Sequence, residues 1–310
     1  MEKRLLVAVD ASIYSSNTLH YLEQLFAHLD DVRFHLLSVI TCNPSQAASE
    51  WLDELELLST LSNEEQKHYA SAKRYLKKAV DRLERNGISP DQVTTEVKIS
   101  TTNPALEVLS VARKGLFDAL VLGRRGVSKL EEFIMGSVSN TMFEKCHDVP
   151  IWIVDGQVKS RKFLVPVDGS FHSLMAVDHL AYILQDNPHA EVTLFHSSAM
   201  LAHKAKIIPE EYYEQWGKEW CDKYLTGPDS LHEAPKNILM QNGFSEDRIF
   251  WLHSFKGIEA SRQIIRQALV DDFGTIVMGR RSEDTKKGIF KGVSDRVIYM
   301  AQHVAIWLVG

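Results

Sequence analysis

The sequence has 310 residues, of which 45% are hydrophobic and 25% are charged, so the chain can bury a sizeable core and is long enough for two domains. A formal net charge of -6 and the lack of a long basic block argue against nucleic acid as a partner. No apolar stretch reaches the roughly 18 residues of a membrane span, and the start does not resemble a secretory signal. We therefore expect a cytoplasmic protein whose partners include neither a membrane nor nucleic acid.

The first half of the chain alternates apolar runs of strand length with stretches of helical periodicity. The strands are predicted at residues 5–9, 34–40, 93–99, 119–122 and 151–154. Helices are predicted at residues 15–29, within 63–87, from the Asn103-Pro104 cap onward, and from Gly136 towards His147. The acidic stretch 51–61 has no pattern that assigns it to either class.

The second half repeats the first. "KRLLVAVDASIYSSNTLHYLEQL" from Lys3 aligns with "RKFLVPVDGSFHSLMAVDHLAYI" from Arg161, which places Asp10 on Asp168. "DALVLGRRG" matches "GTIVMGRRS", and "VPIWIVDG" matches "VAIWLVG". The chain is therefore interpreted as a tandem duplication with domains at 1–155 and 160–310, joined by the short polar segment 155–159.

The second copy keeps the same order of elements, with strands predicted at residues 163–167, 192–196, 249–253, 275–278 and 306–309. Alternating strands and helices predict an α/β fold with right-handed crossovers, a mostly parallel sheet and helices on both faces. An aromatic helix is predicted at residues 204–223, as a core or interdomain contact and not as a nucleic-acid platform.

Metal and disulfide chemistry find little support in the residue spacing. Cys42, Cys146 and Cys221 are too far apart for a disulfide framework or a zinc site and are interpreted as packing thiols. The histidines of the second half form no short paired motif. No metal site is expected.

A glycine-rich loop, "GRRGVSKLEEFIMGSVSN", begins at Gly123 and has the spacing G-x2-G-x9-G-S. It joins the fourth strand to the last helix and so lies at the carboxyl edge of the sheet, where α/β folds bind ligands. Glycines allow close approach of phosphate, and the N–H groups at the helix start, with the Ser137 and Ser139 hydroxyls, are anion donors. The alternative is that the glycines only form turns. Arg124 and Arg125 supply charge to a ligand or, as is more usual after a strand, are solvated.

These motifs resemble the universal stress proteins, in their tandem two-domain form, over nearly the whole chain. The resemblance rests on "VAVDAS" and "VPVDGS", on "LGRRG" and "MGRRS", on the glycine loop, and on the terminal strands "PIWIV" and "AIWLV". It implies two tandem Rossmann-like domains of the adenine nucleotide alpha hydrolase-like kind. Each has a five-stranded, mostly parallel sheet, and the two last strands pair antiparallel to form an intramolecular pseudo-dimer. Further association into a homodimer stays open.

The resemblance also implies an ATP site in the first copy, with ADP or AMP as alternative ligands and Mg2+ as a potential companion ion. The ribose and phosphates would be held by the loop and helix start, at Gly123, Gly126, Gly136, Ser137, Val138 and Ser139. The adenine would be bordered by Ala8, Asp10 and Val39.

The second copy departs from this pattern at two points. Ser282 stands where Gly126 stands, and "MGSVS" has become "KGVS", so that either the glycine or the serine is lost. One missing residue turns the first helical turn by about 100° and misaims its N–H groups. We therefore predict a weak or empty second site, although Asp168, Gly169 and Ser170 would still admit an adenosine-sized ligand.

Three functions fit the sequence. The first is an ATP-binding stress-response or regulatory module that acts on an unknown regulatory protein. The second is a protein-interaction scaffold independent of nucleotide, and the third is a weak ATPase. Near the loop only Glu131 and Glu132 offer carboxylates, interpreted as solvated charge, so at most slow ATP hydrolysis is expected.

Overall fold

A computed structural model describes residues 2–42, 61–101, 103–124, 135–185, 187–199, 207–254, 257–280 and 292–310. The chain folds into two compact units, unit 1 (Met1–Val149) and unit 2 (Pro150–Gly310). Most of the unassigned stretch 51–61 lies outside the described residues. Within the described part of the chain, no helix has both the length and the apolar character needed to cross a membrane.

Unit 1 has an α/β fold whose strands lie in the order β3-β2-β1-β4 and pair in parallel. Its described strands are β1 (Lys3–Ala8), β2 (Val32–Thr41), β3 (Val93–Ser100) and β4 (Ala119–Gly123). Its described helices are α1 (Ile13–Phe26), α2 (Asn63–Arg85), α3 (Pro104–Lys114) and α4 (Ser137–Lys145), with a 3-10 turn at Pro90–Gln92.

Local sequence explains where these elements begin. Leu5, Leu6 and Val7 are fully buried because a parallel strand covered on both faces needs consecutive apolar residues. Helix α1 begins two residues earlier than predicted, since the Ser12 hydroxyl caps it by accepting a bond from the Ser15 N–H. Helix α2 begins with a capping box between Ser62 and Glu65, in agreement with the predicted start.

Unit 2 has the strand order β5-β10-β9-β6-β7-β8. Its described strands are β5 (Ile151–Val154), β6 (Lys162–Pro166), β7 (Glu191–Ser197), β8 (Ile249–Ser254), β9 (Thr275–Gly279) and β10 (Ala305–Val309). Its described helices are α5 (Phe171–Leu184), α6 (Tyr213–Trp216), α7 (Lys218–Tyr224), α8 (Ser230–Gln241), α9 (Ala260–Val270) and α10 (Val293–Met300), with 3-10 turns at Pro209–Tyr212 and Glu246–Arg248.

The last strands of the two repeats pair antiparallel, as the family resemblance implied. Trp152 on β5 lies opposite Trp307 on β10, and their rings stack with centroids 3.7 Å apart. The other described strand pairs of unit 2 are parallel. Strand β5 ends the first repeat in sequence but is part of unit 2 in the fold.

A buried histidine accompanies this tryptophan stack. The Nε2 atom of His179 on α5 accepts a hydrogen bond of 3.2 Å from the Trp152 Nε1–H. Burial lowers the pKa of His179 to about 3, so the imidazole is neutral at physiological pH. The hydrogen bond therefore depends on the uncharged form of the ring.

The predicted aromatic helix at 204–223 is wrong as a single element. Gly217 has a φ of 78°, a left-handed conformation that separates α6 from α7. The aromatic residues nevertheless pack on one another, with ring centroids 6.0 Å apart for Tyr212 and Trp216 and 5.7 Å apart for Trp216 and Trp220. Trp216 also contacts Phe171 of α5. The cluster thus packs within unit 2, with Tyr212 buried and Trp216 and Trp220 half-buried.

Candidate functional site

The carboxyl edge of the unit 1 sheet brings together residues that the sequence analysis selected. Ala8 pairs with Leu37 of β2 and with Leu122 of β4. Continuing the same register by two residues places Asp10 level with Val39, and continuing it by one places Val9 level with Gly123. Ala8, Asp10, Val39 and Gly123 therefore lie along one edge of the sheet, whereas their roles towards a ligand stay predictions.

The turn after β1 holds the Asp10 carboxylate in place. Its Oδ1 atom accepts bonds from the Ser12 N–H at 3.1 Å and from the Ser15 hydroxyl at 2.7 Å. Ala11 between them has a φ of 62° and is exposed. The Ser15 hydroxyl also accepts the Asp10 N–H at 3.0 Å. Asp10 is thus a pre-oriented acceptor at the sheet edge.

Tyr75 of α2 is a residue near this edge that the sequence analysis missed. Burial, and after it the nearby Asp10 carboxylate, raise the pKa of Tyr75, so the phenol remains protonated. Leu76 and Ala79 of the same helix are buried. Tyr75 precedes Leu76 in the helix, and the sequence shows no reason to connect it with Asp10.

Two hydrogen bonds fix the start of α4 against the end of β4. The Gly136 N–H donates to the Arg124 carbonyl oxygen at 2.9 Å, and the Ser139 hydroxyl donates to the Gly123 carbonyl oxygen at 2.8 Å. Residues 125–134 lie outside the described residues, so the roles predicted for Gly126, Arg125, Glu131 and Glu132 stay predictions. The two ends of the loop meet at the sheet edge.

The start of α4 offers donors to an anion. The first three N–H groups of a helix have no acceptor within it, and here they belong to Ser137, Val138 and Ser139. Ser137 is exposed and Val138 is half-buried, whereas Ser139 is buried and its hydroxyl proton is directed to Gly123. Of these two hydroxyls, that of Ser137 is therefore the more accessible to a ligand. The Ser139 hydroxyl links the helix to the strand through its bond to Gly123.

Gly123 has a packing role that is independent of any ligand. A Cβ atom at this position would lie 3.0 Å from the Tyr14 Cβ and 3.2 Å from the Tyr14 carbonyl carbon. At the corresponding Gly279 of unit 2 a Cβ would lie 2.1 Å from the His172 carbonyl oxygen. Because both repeats need this glycine, it alone does not indicate a ligand.

The arginine after this glycine is not solvated, which corrects the more usual interpretation. The side chain of Arg124 is 2% exposed, and that of its counterpart Arg280 is 5% exposed. A guanidinium is buried only where its environment compensates its charge. Its burial in both repeats favours a structural role shared by the two units over one confined to the intact loop.

The helix start of unit 2 shows which residue was lost. Gly292 remains the N-cap of α10, whereas that helix has eight residues against nine in α4, so the serine is missing and the glycine is kept. The Gly292 N–H donates to the Asp295 Oδ2 at 3.1 Å. A carboxylate thus occupies the helix start where phosphate would bind. Ser282 lies outside the described residues.

The turn after β6 in unit 2 is covered by the protein itself. Gly169 is buried, and its carbonyl oxygen accepts a 2.8 Å bond from the Tyr212 hydroxyl. Burial raises the pKa of Tyr212 to about 12, which keeps this donor protonated. Ile207 Cδ1 would lie 3.1 Å from a Cβ at Gly169. The corresponding Ala11 of unit 1 is exposed, so this turn is open only in unit 1.

The histidines near this edge of unit 2 bond to protein atoms. A ring nitrogen of His196, Nδ1, lies 3.0 Å from the Val167 carbonyl oxygen, and His253 Nε2 lies 2.8 Å from the Ser198 hydroxyl. Across the described ranges, no group of three or more His, Cys, Asp or Glu side chains has an arrangement that could hold a metal ion.

Comparisons with known proteins identify relatives of this chain. The model of the universal stress protein family matches residues 1–155. A universal stress protein from Archaeoglobus fulgidus is similar in structure, with a TM-score of 0.64, 18% identity, and coverage of 99% of this chain and 97% of that chain. A putative universal stress protein from Pseudomonas aeruginosa gives a TM-score of 0.57, 14% identity, and coverage of 99% and 93%. A comparison with curated proteins finds no match.

Proposed function

The chain belongs to the universal stress protein family, a family of stress-response proteins, and from this premise we propose that unit 1 binds ATP and that unit 2 does not. The observation that carries the proposal is the contrast between the two helix starts. In α4 the first N–H groups have no acidic side chain in the first turn, whereas in α10 the Asp295 carboxylate bonds to the cap. Only the first arrangement favours a polyanion.

Each residue of the proposed site has a chemical role. The N–H groups from Ser137 to Ser139 and the Ser137 hydroxyl would bind phosphate oxygens. The Asp10 carboxylate would accept hydrogen bonds from the nucleoside, and Ala8 and Val39 would provide the apolar border of the base. Gly126 and a Mg2+ ion belong to the proposal through the family resemblance alone.

The proposed activity is regulatory and not catalytic. Nucleotide occupancy of unit 1 would be the signal, read in the cytoplasm by a regulatory protein. ADP and AMP are the competing ligands, because the helix start would hold any terminal phosphate while the Asp10 turn would hold the nucleoside.

The test introduces a negative charge at the helix start. Ser137→Asp places a carboxylate in the first turn of α4 at an exposed position, where it supports the helix but repels phosphate. We expect the affinity for Mg2+-ATP to fall at least about tenfold, or ~1.4 kcal/mol. Isothermal titration calorimetry of the nucleotide-free, full-length protein measures this change, and titrations with ADP and AMP identify the preferred ligand.

Val293→Asp is the matched control, because Val293 has the same place in α10 and is 40% exposed. It should leave ATP binding unchanged at one site per chain. Wild-type protein that binds none of the three nucleotides would disprove the proposal and favour the scaffold function. Equal loss of binding in both variants would contradict the assignment of the site to unit 1.

A further inference from the structure

Strand β8 (Ile249–Ser254) forms an apolar edge of the unit 2 sheet. Among the described strands of this unit, it pairs with β7 alone. Its sequence is IFWLHS, and Phe250 is 46% exposed while Trp251 and Leu252 are half-buried. Proteins normally protect such edges with charges, prolines or bulges, because an apolar edge pairs readily with another strand.

The corresponding edge strand of unit 1 is protected in this way. Strand β3 has Thr94 at the position of Phe250 and Glu96 at the position of Leu252. Glu96 carries charge beside Lys98, whose Nζ lies 3.9 Å from the Glu96 carboxylate, and Glu96 also contacts His35 at 3.0 Å. The two edge strands therefore have the same place in their repeats, but β3 is polar and charged where β8 is apolar.

The backbone of β8 has one side directed away from the sheet. The Ser254 carbonyl oxygen accepts the Ser198 N–H at 2.9 Å, so it faces β7. Backbone groups alternate in direction along a strand, and those of Leu252 and Phe250 therefore also face β7. The N–H and C=O of Trp251 then point outward, at the centre of the strand.

We propose that two copies of this protein associate through antiparallel pairing of β8 with β8 about a two-fold axis at Trp251. In this register the two Trp251 residues exchange both backbone hydrogen bonds. Phe250 of each copy lies opposite Leu252 of the other, and Ile249 lies opposite His253. Phe250 and Leu252 thus pair with each other, and no apolar side chain lies opposite a charged group.

The chemistry of the strand selects a second copy as the occupant. Ile249–Ser254 contains no carboxylate, ammonium or guanidinium group. Burial, with the nearby His196 and His232, lowers the pKa of His253, so the strand is uncharged at neutral pH. A charged group placed opposite Phe250 or Leu252 by a partner strand would lose its hydration and gain no polar contact in return. Strand β8 itself meets this requirement, and a two-fold axis aligns it antiparallel to its own copy.

The test introduces the residues of the β3 edge into the β8 edge of the full-length protein. The double variant Phe250→Thr with Leu252→Glu gives β8 the residues of β3. At concentrations where the wild type is dimeric, the molar mass of this variant in analytical ultracentrifugation should be about half that of the wild type. Thr94→Lys on the opposite repeat is the matched control and should leave the dimer intact. Circular dichroism confirms that each variant is folded.

A second measurement needs no variant. Hydrogen exchange of wild-type residues 249–254 should slow as protein concentration rises, while exchange of residues 93–100 should not change. A wild-type protein that is monomeric throughout the concentration range would overturn the proposal. A double variant that remains dimeric, with hydrogen exchange in wild-type β8 that does not depend on protein concentration, would also overturn it. Neither outcome bears on nucleotide binding, which is measured separately.

Discussion

The two repeats share one architecture and differ at the edge where a ligand would bind. In unit 1 the turn after β1 is open at Ala11, and α4 begins without an acidic cap. In unit 2 Tyr212 covers the equivalent turn, and Asp295 caps α10. The duplication therefore serves as an internal control, because a feature that both repeats retain does not by itself indicate a ligand.

This control changes the meaning of the glycine loop. Gly123 and Gly279 are both required by close packing against the first helix of their repeat, and Arg124 and Arg280 are both buried. These parts of the motif are structural in each unit. The helix start differs between the units, because α4 has no acidic residue in its first turn and α10 has Asp295, and the proposal of nucleotide binding rests on this difference.

The largest expected difference between the units is sensitivity to acid. His179 has a pKa of about 3 in the fold against its ordinary value of 6.5, so the unfolded chain binds the additional proton between these values. The contribution of neutral His179 to the free energy of unfolding is therefore complete above pH 6.5. It decreases by about 1.4 kcal/mol per pH unit as the pH falls towards 3. Tyr21 has the corresponding position in unit 1 and does not titrate in this range.

Acid titration followed by tryptophan fluorescence tests this expectation, since all tryptophans except Trp51 lie in unit 2. His179→Gln is the control, because the amide oxygen can still accept the Trp152 N–H but does not titrate. A fluorescence transition with the same acid midpoint in this variant would refute the assignment to His179.

The second comparison concerns the paired glycines. Gly279→Ala would place a methyl group 2.1 Å from the His172 carbonyl oxygen, whereas Gly123→Ala would place it 3.0 Å from the Tyr14 Cβ. We expect a loss of about 3 kcal/mol for Gly279→Ala and about 1 kcal/mol for Gly123→Ala, because only the second contact can relax by a small shift. Urea unfolding of both variants measures the order, and a larger loss for Gly123→Ala would contradict the packing explanation.

Much of the fold could be predicted because its signals are local. The strand positions follow from buried apolar runs, and α4 begins after Gly136 as predicted. The pairing of β5 with β10 came from the resemblance and is confirmed. The break at Gly217 was missed, since the aromatic spacing of four residues around it fits an unbroken helix.

The candidate site was predictable only in part, for a physical reason. The match between the two repeats left two alternatives for the lost residue, and only the N-cap position shows that Gly292 is kept. The covering of Gly169 by Tyr212 joins residues far apart in sequence. Likewise, the proximity of Tyr75 to Asp10 results from packing between α2 and the sheet edge. Such contacts leave no periodic trace in the sequence.

The smallest expected difference lies at the ends of α3 and α9. Leu116 and Asp272 both follow the helix C-cap in the left-handed region, with φ values of 49° and 55°. Aspartate tolerates this conformation better than leucine. Because Leu116 is 82% exposed, its replacement loses little packing. Leu116→Asn should therefore stabilise unit 1 by about 0.5 to 1 kcal/mol without adding charge at the helix carboxyl end.

Leu116→Ala separates this backbone effect from the removal of an exposed apolar side chain. Alanine tolerates the left-handed region no better than leucine and lacks the amide of asparagine, so this variant should show no comparable gain in the free energy of unfolding. Urea unfolding of the two variants beside the wild type makes the comparison. An equal gain in both would mean that the apolar surface, and not the φ angle, distinguishes the unit 1 turn from its counterpart at Asp272.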